Sequence, residues 1–130
     1  MLRYLSLDWL AALGEEVERS DALREVAAGR RLAVTQIVTD GPEGDVSYHL
    51  DVDDGTVRFG PGPADDEQLR FMQDWDTAVA VATGELNAQE AFIGGRIRLT
   101  GDQQKLLDSQ PVFQALDGVF NAVRPLTEYR

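Results

Sequence analysis

The 130-residue chain has no cysteine, a single histidine, a single lysine, and no apolar run near the ~20 residues that cross a membrane as a helix. Each absence removes a class of function. Without cysteine there are no disulfides, thiolate metal sites or thiol nucleophiles. With His49 alone, no second imidazole and no serine motif accompany it, as a metal centre or an acid–base site would need. Basic residues number 12 against 23 acidic ones, a net charge of −11. Nucleic acid is a polyanion that needs a basic footprint, so it is not an expected partner. The same repulsion disfavours docking on anionic headgroups, and no stable membrane insertion is expected. Met1-Leu2-Arg3-Tyr4-Leu5 does not form a charged region followed by an apolar stretch and a small-residue cleavage site. The cytoplasm is therefore the expected compartment.

What is present is the composition of one soluble domain spanning residues 1–130, with 43% hydrophobic and 27% charged residues. A chain of this length buries roughly two-thirds of its unfolded surface. Eleven of the acids fall between Asp40 and Asp76, where only Arg58 and Arg70 oppose them. That stretch reads as a solvated acidic face rather than a docking surface for a basic partner.

Periodicity divides the chain. Leu7, Leu10, Leu13 and Val17 recur at helical spacing behind an N-cap at Ser6, and Ser20-Asp21 restarts a helix that carries Leu23, Val26 and Ala27 to Gly29. From Arg31 the period becomes two. Leu32, Val34 and Val38 alternate with Ala33 and Thr35, then Gly41-Pro42-Glu43-Gly44 turns. Val46, Tyr48, Leu50 and Val52 point one way while Ser47, His49 and Asp51 point the other. Asp54-Gly55 is a hairpin turn, Val57 and Phe59 return, and a further strand carries Leu69 and Phe71 inward and Arg70 outward. Asp74 caps a helix with Trp75, Ala78, Val79 and Ala82 on one side, ended by Gly84, and Asn87-Ala88-Gln89-Glu90 has the form of a capping box. Arg96 to Thr100 reads as a strand with Ile97 and Leu99 inward and two arginines free to meet the acidic outer face. Asp102 caps the last helical region, which Pro111 splits in two. The order describes an α+β domain with one sheet face covered.

Other constellations carry no chemistry. Asp51-Val52-Asp53-Asp54-Gly55 fails as a calcium loop, because glycine takes the fifth place and Gly62 stands where a bidentate Glu is required. Gly41 to Gly44 and Gly60 to Pro63 lack the context of phosphate loops and read as turns. Asp65-Asp66-Glu67 reads as solvated charge, since nothing around it would split the carboxyl pKa values.

From Leu86 to Asp102 the chain reads Leu86-Asn87-Ala88-Gln89-Glu90-Ala91-Phe92-Ile93-Gly94-Gly95-Arg96-Ile97-Arg98-Leu99-Thr100-Gly101-Asp102. This run of capping box, glycine stop, strand and second cap resembles the central motif of the sterol carrier protein 2 family. The preceding Trp75 helix and Thr83-Gly84-Glu85 are compatible with it. The resemblance implies a five-stranded, mostly antiparallel sheet covered on one face by helices. It also implies an apolar tunnel for a sterol, fatty acid or acyl-CoA, without cofactor, metal or catalytic residues. A pocket of that kind needs large apolar side chains, and the candidates are Phe71, Trp75, Val79, Phe92, Leu99, Leu106, Phe113, Leu116 and Phe120. The chain departs from some members in lacking a Ser-Lys-Leu type of ending after Glu128-Tyr129-Arg130, and its acidity disfavours transfer by membrane collision. Two other readings use related architecture. One is an interaction module with a closed core, serving a homodimer or an enzyme partner; the other is a small cone-shaped isomerase or dehydratase.

Overall fold

Ser6 opens the first helix as its position predicts, its hydroxyl accepting the Trp9 amide at 3.2 Å. In the computed structural model, which describes residues 1–129, a short strand β1 (Leu2–Arg3) leads into α1 (Leu7–Arg19), and Ser20 ends that helix and caps α2 (Asp21–Ala27). One expected core position fails. Leu7 is 73% exposed, and the buried stripe is Trp9, Leu10, Leu13 and Val17. At about 100° per residue these four fall within one arc, while Leu7 lies about 60° beyond its edge.

Five strands form the main sheet: β2 (Arg31–Gly41), β3 (Gly44–Asp53), β4 (Thr56–Pro61), β5 (Leu69–Asp74) and β6 (Arg98–Gly101). Their order is β4-β3-β2-β5-β6, antiparallel except for the parallel pair β2 and β5. The β3–β4 turn has φ of +42° at Asp54 and +88° at Gly55, the type I′ geometry that Asp-Gly favours because it matches the strand twist. Leu32, Val34, Val38, Tyr48, Leu50, Val52, Val57 and Leu69 build the core beneath the helices.

The link from the edge strand β4 to β5 must pass β3 and β2, and residues 62–68 do so across the outer face. Thr35, fully buried there, donates its hydroxyl to Glu67 Oε1 at 2.9 Å and accepts the Ala64 amide at 3.0 Å. His49 Nδ1 lies 3.0 Å from the Gly62 carbonyl, and Gln68 accepts the Ala33 amide at 3.1 Å. Hydrogen bonds from Arg70, with a smaller one from Thr35, hold the Glu67 carboxyl below the usual range. His49 therefore pins a loop on the polar side, as the alternation of its strand implies.

Helix α3 (Trp75–Ala82) starts on Asp74, whose carboxylate accepts the Thr77 amide at 2.8 Å. Asn87 caps α4 (Ala88–Ile93), accepting the Gln89 and Glu90 amides at 2.8 and 3.3 Å. The strand that follows is shorter than its sequence pattern predicts. The Arg96 and Ile97 amides donate to the Ala91 carbonyl at 2.8 and 3.2 Å, closing the helix end, so neither is free for the ladder. Arg96 turns its guanidinium to Thr77 Oγ1 at 3.1 Å instead of to the outer acidic face. Asp102 then caps α5 (Gln103–Asp108), and Pro111 sits in the first turn of α6 (Gln110–Val123), giving the two segments expected. The C-terminal strand β7 (Thr127–Glu128) pairs in parallel with β1.

Candidate functional site

Strand alternation places two polar side chains where apolar ones are the rule. On β2 the sequence beneath the helices is Leu32, Val34, Gln36, Val38, and on β5 it is Leu69, Phe71, Gln73. In the parallel register Gln36 stands opposite Phe71 and Gln73 opposite Val38, so the two glutamines are diagonal neighbours on adjacent inner strands. Above them the helices leave space.

The larger space, about 430 Å³, is walled by Phe71, Phe92, Ile93, Ile97, Leu106 and Phe113. The smaller, about 170 Å³, is walled by Tyr4, Trp9, Tyr48, Ala78 and Phe120, with Asp117 and Arg124 at its edge. Gln36, Gln73 and Val81 border both. The side-chain carbonyl oxygens of Gln36 and Gln73 are buried without a hydrogen-bond partner among the described residues. The site is thus two adjoining spaces that share Gln36, Gln73 and Val81, the larger mainly apolar and the smaller of mixed character.

Ring contacts hold the walls. Phe113 meets Phe71 edge to face at 6.1 Å in the larger cavity. In the smaller one Phe120 stacks on Trp9 at 6.2 Å, and Tyr4 and Trp9 meet edge to face at 5.0 Å. The Trp9 indole donates to Thr127 Oγ1 at 3.0 Å, which ties the wall to the chain's end. Burial pushes the Tyr48 hydroxyl well above the ordinary phenol range, and burial with the neighbouring Tyr48 and Tyr129 does the same at Tyr4.

These phenols make a pH prediction. A phenol that ionises less readily in the folded chain gives stability that is complete below the unfolded pKa near 10 and is lost as pH rises toward the folded value. Both phenols stay protonated in the folded chain across this range, so the two contribute similar shares. The two together lower stability by roughly 1 to 2 kcal/mol between pH 10 and 11. Urea denaturation across that range checks it, and Tyr48→Phe should flatten the slope.

The nine candidate lining residues separate. Phe71, Phe92, Leu106 and Phe113 border the larger cavity and Phe120 the smaller. Leu116, between Phe113 and Phe120 on α6, is buried in the core, and Leu99 packs against that core from β6. Trp75 starts α3 at the end of the sheet, tilted against Tyr4 at 5.4 Å and beside Gly41, where it borders a space of about 30 Å³ and neither of the two cavities. Val79 borders none of these spaces, because α3 is turned so that Ala78, Val81 and Ala82 face the cavity. Sequence reasoning missed Gln36, Gln73 and Val81. The glutamines had a signal: each occupies an inward position of a strand whose other inward residues are apolar.

A sequence model of the SCP-2 sterol transfer family matches residues 10–114. No curated protein sequence matches. The fold is similar to a crystal structure of sterol carrier protein 2, with a TM-score of 0.66 and 20% identity over 93% of this chain and 97% of that one. It is similar also to a conserved hypothetical protein of Thermus thermophilus, with a TM-score of 0.67 and 20% identity over 98% and 92% of the two chains. For sterol carrier protein domain 2 of Helicoverpa armigera the TM-score is 0.60 and the identity 21%, over 85% and 87%. At such identities the likeness is one of fold.

Proposed function

We propose, since the chain belongs to the SCP-2 sterol transfer family, that it is a single-domain, non-enzymatic carrier that encloses and releases an apolar ligand in the cytoplasm. The ligand class is a sterol, a fatty acid or an acyl-CoA. The observation that carries the reading is the space of about 430 Å³ between β5, α4 and α6, bordered by aromatic and aliphatic side chains. A volume of that size is in the range of small-molecule pockets, whereas a packed core leaves few voids larger than a water molecule.

Burying ~400 Å² of acyl chain at about 25 cal/mol per Å² is worth on the order of 10 kcal/mol before association and ordering costs. A dissociation constant of about 1 μM follows once those costs are met. Phe92 and Ile93, 43% and 83% exposed on α4, stand at the rim of the larger cavity and mark an entrance.

Titration of delipidated protein with the fluorescent fatty acid cis-parinaric acid tests this. One molecule is expected to bind per chain and to be displaced by palmitate, oleoyl-CoA or cholesterol. Absence of any uptake would reject the carrier and favour an interaction module with a closed core.

A further inference from the structure

We propose that the smaller cavity is a binding site in its own right, taking a small neutral aromatic molecule that bears a hydroxyl, and that Tyr4 and Tyr48 hydrogen-bond that hydroxyl. The site is separate from the lipid space and does not depend on the carrier reading.

Three observations carry it. First, rings from distant parts of the chain, Tyr4, Trp9, Tyr48, Phe120 and Tyr129, converge on one space of about 170 Å³. Tyr4 packs on Trp9 and Tyr129 with centroids 5.0 and 5.1 Å apart, and Trp9 on Phe120 at 6.2 Å, so the walls brace one another. Second, neither the Tyr4 nor the Tyr48 hydroxyl has a hydrogen-bond partner among the described residues, although the large majority of buried side-chain polar atoms in native proteins have one. Tyr48 is only 5% exposed. Third, these two oxygens keep accessible surface, whereas the side-chain oxygens of Gln36 and Gln73 are sealed in the packing. Since Tyr48 is otherwise buried, the surface its hydroxyl keeps is that of the space it borders.

Size sets the first limit on the occupant. A cavity of ~150 Å³ admits benzene, so a space of about 170 Å³ takes one ring with small substituents and not a sterol or a long acyl chain. Aromatic walls favour a ring, which meets them offset or edge to face. The O–H of an unpartnered phenol needs an acceptor and its oxygen can accept in turn, so a ligand hydroxyl answers both needs. Burial, together with Tyr48 and Tyr129 beside Tyr4, keeps both phenols protonated, and they therefore meet the ligand as donors. Asp117 and Arg124, both exposed, border the space at its edge and offer opposite charges, so neither sign of ligand is selected. A buried ion without its counter-charge is costly, and the ligand is accordingly neutral.

The test compares p-cresol with p-xylene, in which a methyl group of nearly the same size replaces the hydroxyl, by calorimetric titration of delipidated protein at neutral pH. In a uniformly apolar cavity p-xylene binds more tightly, because the hydroxyl of p-cresol loses water without replacement. Here one p-cresol is expected to bind per chain, about tenfold more tightly than p-xylene, and to shift the indole N–H resonance of Trp9. The Y48F variant is expected to bring the two ligands within about threefold of each other. Equal or tighter binding of p-xylene to the unaltered protein overturns the proposal, and that arm needs no variant to fold. Binding of neither ligand overturns it too, leaving water alone on the phenols, and so does an undiminished preference in Y48F. Lipid uptake is read separately with cis-parinaric acid, so this site and the carrier reading can fail independently.

Discussion

Val81→Trp is expected to weaken fatty-acid binding at least a hundredfold, about 2.7 kcal/mol, while the melting temperature stays within a few degrees of the parent. Val81 is the α3 residue that borders both cavities. An indole there extends into unfilled space, not into packed neighbours, so the strain that normally follows a small-to-large change in a core is largely avoided. The same side chain would stand between the space bordered by Trp9 and Phe120 and the one bordered by Phe71 and Phe113, taking volume from both. Probe titration and thermal denaturation of one preparation check both halves. A folded variant with undiminished uptake would place the ligand elsewhere.

Gly101→Ala is expected to destabilise the fold by about 3 kcal/mol, read as a lowered urea midpoint. The residue has φ of +112°, and a Cβ there would lie 2.2 Å from the Gln68 carbonyl oxygen and 3.2 Å from Leu69 Cα. Those contacts are backbone and cannot swing aside. Gly101 pairs with Leu69 at the end of β6, and the next amide, on Asp102, donates to the Gln68 carbonyl at 3.0 Å before Asp102 caps α5. One methyl group therefore pushes the edge strand off β5 and disturbs the helix start beneath the larger cavity, which Leu106 on α5 borders. Binding should fall together with stability, in contrast with Val81→Trp. The Gly-Asp pair of the central motif thus has a steric reason in this chain.

The architecture was legible where a single local rule governs. Serine and aspartate caps, the Asp54-Gly55 turn and the inward set Val46, Tyr48, Leu50 and Val52 are decided by nearest neighbours, and the structure places them as the pattern implies. The parallel pairing of β2 with β5 was not legible, because the link that produces it lacks an element of its own and is held by Thr35 and His49, far away in sequence. Trp9 was passed over because Leu7 gave an equally regular spacing, and only the sheet decides which arc of α1 is covered. For the site, composition cannot separate a wall from a core. Phe113 and Leu116 share a helix face, yet one borders space and the other packing, and the difference comes from how α4 and α6 sit above the sheet. The glutamines are a signal that the sequence reading left unused: each interrupts the apolar inner side of an alternating strand and borders both spaces.

The central claim is that the space between the sheet and α3, α4 and α6 holds one lipid molecule. Native mass spectrometry of the protein as purified, and again after delipidation and reloading with a fatty acid, tests it most directly. The expected result is a one-to-one adduct, lost on denaturation and recovered by solvent extraction, that Val81→Trp does not form. A bare mass for the folded protein in both preparations, at lipid concentrations well above micromolar, would contradict the account.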